Sequence, residues 1–133
     1  MKRIALFFTH YPLTLLCVAA VWYLSLYRVQ PPPVHLFSWF DKLVHFCMYG
    51  GISSLAWLEY GRCHKTARAA SVLLGAVLLP VLMGGLVELT QAYLTTYRSG
   101  DWADFLANAL GVLAASVLCA AIYARLGKWP HKA

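Results

Sequence analysis

Residues 98–111 read RSGDWADFLANALG. They lead directly into an apolar run, Phe105 to Ala124, that no solvated segment would carry. Asp101, Asp104, Asn108 and Gly111 follow one another at spacings of three, four and three, so they share one face of a helix that continues into the run. An ionisable residue at membrane depth costs roughly 2.5–3.5 kcal/mol on insertion scales, so such residues normally face a bundle and pair there. The stretch therefore predicts a membrane helix with a polar stripe turned towards partner helices.

Working outward, three more apolar runs supply those partners. Ile4 to Tyr27 contains no charged residue, and about 24 residues at about 1.5 Å each reach about 36 Å, enough to span with tilt. Lys2 and Arg3 precede it, but Val21-Trp22-Tyr23-Leu24 continues past Ala19-Ala20, which favours an uncleaved anchor over a signal peptide. Pro31-Pro32-Pro33 then marks an extended loop. Leu43 to Leu58 is the second run, and Ala69 to Tyr97 the third, with Pro80 predicted to kink it and Glu88 interrupting it. The expectation is an all-α membrane protein, one domain over residues 1–133 with four transmembrane helices at about 4–27, 42–60, 69–94 and 103–125.

Composition agrees. The 133 residues are 61% hydrophobic and 12% charged, against about 25% charged in soluble domains. The net charge of +6 does not read as a nucleic-acid footprint, because the basic residues flank the apolar runs. If the N-terminus is cytoplasmic, Lys2, Arg3, Arg62, Lys65, Arg68, Arg125, Lys128 and Lys132 lie inside, eight against the outer three, Arg28, Lys42 and Arg98. That bias predicts both termini in the cytoplasm. Of the acidic residues only Glu59 then lies inside, so the inner side carries +7 and the outer side −1. The four cysteines are scattered without a CxxC, and they read as small buried hydrophobes; Cys63-His64 does not make a metal site.

The polar residues gather at the outer level. Asp41, His45 and Tyr49 recur every four residues on the second helix, and Glu88 and Gln91 lie three apart on the third. With the fourth-helix stripe they predict one outward-facing pocket. Arg98 stands between two of the stripes in sequence, and its planar fork suits a phosphate or carboxylate, so it is the candidate anion contact. Asp41 and Asp101 also suit helix N-termini. Gly50-Gly51 and Gly84-Gly85 read as close-packing positions. Tyr23, Tyr27, Trp39 and Trp102 suit an outer aromatic belt, and Trp57, Tyr123 and Trp129 an inner one.

Asp41-Lys42-Leu43-Val44-His45-Phe46 with Tyr49, then Glu88-Leu89-Thr90-Gln91, then Arg98 with Asp101, Asp104, Asn108 and Gly111, resembles the VanZ-like family of small bacterial membrane proteins. The motifs span residues 41–111 in the family's order. The resemblance implies a multi-pass protein of the bacterial inner membrane with a role in cell-envelope or cell-wall precursor biology; its founding member is associated with resistance to the glycopeptide teicoplanin. Membrane lipids and a lipid-linked or wall-precursor ligand are the expected partners, with no cofactor, no metal and no nucleic acid. Two alternatives stand beside a non-enzymatic role. Paired acids with a histidine would suit a membrane-embedded hydrolase or transferase acting on a lipid-linked substrate, although no Ser or Cys nucleophile stands beside a base. A polar network that only fixes helix register would suit a structural partner protein.

Overall fold

The structure, a computed structural model, describes residues 7–27, 39–65, 67–96 and 100–128. Among them it is all-helical, without a strand: α1 (Pro12–Leu26), α2 (Phe40–Cys63), α3 (Ala69–Leu94) and α4 (Trp102–Arg125). The broadest interface joins α2 to α4. Trp129 and Arg98 lie outside the described residues.

α3 and α4 are long and apolar enough to cross a membrane, α1 is a shorter apolar helix, and α2 carries charged residues near both ends. The outward faces of α3 and α4 are lined with exposed leucines, among them Leu73, Leu82, Leu86 and Leu89 on α3 and Leu106, Leu110 and Leu118 on α4. Soluble monomers rarely expose apolar patches beyond a few hundred Å², so this shell suits lipid.

The first run is not one continuous helix. A helical turn at residues 7–10 ends in a bend at Tyr11, whose φ of −125° and ψ of 44° are non-helical. Pro12 causes this, because its ring disfavours the α region for the residue before it. α1 then starts with uncapped amides, and a distant residue supplies the cap. The Glu59 carboxylate on α2 accepts from Leu13 N at 2.9 Å, Thr14 N at 3.0 Å and Thr14 Oγ1 at 2.7 Å. An anion at a helix N-terminus is favoured by both the free N–H groups and the dipole. At the other end Gln91 Nε2 donates to the Ser25 carbonyl at 3.1 Å. This short helix is thus held at both ends by other helices.

The expected disturbance at Pro80 is present, and its form is specific. Leu73–Leu78 is a π-helical turn immediately before it. Proline has no N–H for the carbonyl four residues earlier, which is Ala76. Ser53 Oγ on α2 donates to that carbonyl at 2.7 Å. Ser116 Oγ lies 3.0 Å from Ser53 Oγ, and Trp57 Nε1 donates to Ser116 at 3.4 Å. With the Ser53 proton directed at Ala76, Ser116 donates to Ser53, and one donor chain links three helices.

Trp57 and Tyr123 therefore do not form an inner belt. They are 2% and 7% exposed, stack edge-to-face at 5.0 Å, and Tyr123 Oη donates to the Trp57 carbonyl at 2.7 Å. A buried indole N–H needs a partner, and Ser116 provides it. Tyr23, Tyr27, Trp39 and Trp102 are exposed. The cysteines also differ from expectation: Cys47 and Cys63 are exposed and Cys17 and Cys119 half-buried, all free.

Close approach explains Gly111. A Cβ there would strike the Phe46 carbonyl of α2. Gly50 meets the same seam, its Cβ position 3.1 Å from the Gly111 carbonyl, whereas Gly51 faces open space and has no packing role.

Candidate functional site

α2, α3 and α4 bring the polar stripes together at one end of the bundle. His45 is the centre. Its Nδ1 shares a 3.0 Å hydrogen bond with Asn108 Oδ1 on α4 and lies 4.0 Å from Glu88 Oε1 on α3. Its Nε2 lies 3.7 Å from Asp104 Oδ2. His45, Glu88 and Asn108 are all buried. The four-residue spacing of Asp41, His45 and Tyr49 places Tyr49 one turn deeper, also buried. Gly84 makes room for it: a Cβ there would lie 3.2 Å from the Tyr49 ring and 3.3 Å from Asn108 Nδ2.

At the outer end of this cluster a lysine is surrounded by carboxylates. Lys42 Nζ donates to Asp101 Oδ2 at 2.8 Å and stands 2.6 Å from Asp104 Oδ1 and 3.7 Å from Asp41 Oδ2. In the sequence this ammonium is legible only as a topology signal. It follows Asp41 directly, so its own stripe gave no hint of its partners. Asp101 caps α4, its Oδ1 accepting from Ala103 N at 2.9 Å. Its backbone N–H donates to Glu88 Oε2 at 3.0 Å, which ties the loop before α4 to α3. The Lys42 hydrogen bond, with the Ala103 amide next, holds the Asp101 carboxyl below the usual carboxylate range. Asp41 lies in the first turn of α2 but caps nothing; the residue at that position is Trp39, without a side-chain cap.

Of the predicted site residues, Asp41, His45, Tyr49, Glu88, Asp101, Asp104 and Asn108 fall at this end of the bundle. Gln91 is buried nearby but turned to α1, where it holds Ser25. Arg98 lies outside the described residues. Asp41, His45 and Asp104 offer ligand atoms within 4.8 Å of one another, a spacing a metal ion could use. The Lys42 ammonium already stands among two of those three groups.

Chemically, the cluster is a row of acceptors around a histidine. Several buried atoms have no hydrogen-bond partner among the described residues: Glu88 Oε1, Tyr49 Oη and Asn108 Nδ2. Buried polar groups are normally satisfied, so these three atoms depart from the rule at this end of the bundle.

A family model described as VanZ/LLP1 matches residues 4–123, and the chain belongs to that family. Comparison with curated proteins and with solved structures gives no match.

Proposed function

We propose that this VanZ/LLP1-family chain crosses the bacterial inner membrane four times with both termini cytoplasmic, and that the His45 cluster opens outward to bind a polar group of an envelope lipid or cell-wall precursor. The basic excess of eight to three supports the orientation, and with it an outward-facing cluster. One observation carries the binding reading: Glu88, Tyr49 and Asn108, from three different helices, each bury a polar atom without a hydrogen-bond partner among the described residues. A network serving only to fix helix register would satisfy its own atoms. An influence on glycopeptide susceptibility follows if the bound group belongs to a wall precursor.

Two measurements test this. Alkaline phosphatase fused at the C-terminus should be inactive, and the same enzyme inserted between α1 and α2 should be active; the reverse pattern ends the outward-facing site. Native mass spectrometry of the purified protein should show a co-purified envelope molecule that Asn108→Ala abolishes. A well-folded wild type that carries nothing removes the binding reading.

Hydrolysis or group transfer on a lipid-linked substrate is the second reading. His45 favours it, standing 3.7 Å from Asp104 and 4.0 Å from Glu88, an arrangement suited to general acid–base work.

A further inference from the structure

Exposure orders the site from mouth to floor. Side-chain exposure falls from 57% at Asp41 and 46% at Asp101, through 26% at Lys42 and 13% at Asp104, to 9% at His45 and Glu88. A ligand coming from the mouth passes acids at every depth. Asp41, Asp101, Asp104 and Glu88 stand against Lys42, a formal −3 among the described residues, and counting the charge of Arg98 from the sequence still leaves −2. A phosphate or carboxylate would meet like charge at close range, where repulsion is costly.

We propose that this site takes a cationic amine carrying a neighbouring oxygen, the ammonium of a lipid headgroup or of a soluble wall fragment, rather than the anion that Arg98 suggested. The inference rests on the binding reading above and names its ligand class. Lys42 is the internal example. Its ammonium, with three N–H donors, is held by the outer acids at 2.8 Å from Asp101 and 2.6 Å from Asp104. The second observation lies deeper. Glu88 Oε1 is buried without a hydrogen-bond donor among the described residues, and a carboxylate oxygen accepts only from a donor. Asn108 Nδ2 is buried without an acceptor, so the same ligand must bring an oxygen. A ligand that brings both an ammonium and an oxygen meets both demands, and Tyr49 Oη can serve either group.

The test uses the full chain in detergent and replaces the internal ammonium. Lys42→Met leaves the outer acids without their cation and should lower the melting temperature. Ethanolamine, cationic at neutral pH and carrying the required oxygen, should restore it saturably. Ethylene glycol, its neutral analogue, and inorganic phosphate should not. Glu88→Gln in the same background should raise the half-saturating ethanolamine concentration about tenfold or more. If Lys42→Met does not fold, wild type is titrated instead, and ethanolamine should slow amide exchange at Asp101, whose N–H is held by Glu88. Stabilisation by phosphate alone would leave the pocket standing and overturn the amine. Stabilisation by Zn²⁺ or Mg²⁺ alone would replace it by a metal site on Asp41, His45 and Asp104. No response to any probe overturns both the amine and the pocket. The sources separate in nanodiscs: if phosphatidylethanolamine, but not phosphatidylglycerol, stabilises wild type and abolishes the free ethanolamine effect, the ligand is a lipid headgroup. An undiminished ethanolamine effect in phosphatidylethanolamine assigns the site to a soluble amine.

Discussion

Ser53 Oγ donates to the Ala76 carbonyl at 2.7 Å, and Ala76 is the residue four before Pro80. The serine on α2 thus occupies the place of the backbone donor that the proline on α3 lacks. Ser53→Ala should cost about 1–2 kcal/mol, the scale of a buried hydrogen bond between membrane helices with an acceptor left unpaired. Pro80→Ala should offer Ala76 a helical N–H again. The double variant should then cost less than the sum of the two singles by more than about 0.5 kcal/mol in a double-mutant cycle of detergent unfolding. Strict additivity would show that the two residues are not linked.

Glu59 does for α1 what a local cap does elsewhere. Glu59→Ala strips the acceptor from Leu13 N, Thr14 N and Thr14 Oγ1 together. Hydrogen bonds to a charged group contribute about 1.5–3 kcal/mol each, reduced here by water reaching the freed amides. Amide exchange at Leu13 and Thr14 should rise about tenfold or more while that of α4 stays unchanged. Equal protection in wild type and variant would mean that the α1 N-terminus is held by something else.

Gly111→Ala and Gly51→Ala form a matched pair on the same bundle. The first places a methyl group on the Phe46 carbonyl and should cost about 1–3 kcal/mol as α2 and α4 separate. The second meets nothing within 4 Å and should be neutral, or stabilising by up to about 1 kcal/mol through helix propensity. Melting temperatures of the two variants, measured side by side, decide it; similar losses would contradict the described seam.

Asp101 predicts an acid limb. Its carboxyl is held below the usual range by Lys42, so its folded value lies below the unfolded one of about 3.9. A depressed acid contributes stability that is present above the unfolded value and lost as pH falls through the folded one. The melting temperature of wild type should therefore fall below about pH 4. Asp101→Asn keeps an N-cap oxygen for Ala103 but loses the Lys42 ion pair. Its curve should start lower at neutral pH and converge on wild type in acid; parallel curves would remove Asp101 as the source.

What the sequence determined by itself is what local periodicity carries. Four apolar runs marked four helices, the first of them broken at Tyr11, and spacings of three and four put Asp41, His45 and Tyr49 on one face and Asp104 and Asn108 on another. Pro80 announced a break in α3 because a missing N–H is a property of one residue. The tertiary structure alone decided which groups meet. Lys42 could be counted but not placed, because its acids at positions 101 and 104 are about sixty residues away in the chain. Glu59 read as an inner-side charge, yet it caps a helix that begins 47 residues earlier, at Pro12. Gln91 shares the Glu88 stripe but serves α1, and Trp57 left its expected belt because Ser116 and Tyr123 receive it in the core. Hydrogen bonds and ion pairs act over about 3–4 Å, so their partners are fixed only once packing has chosen which helix faces touch.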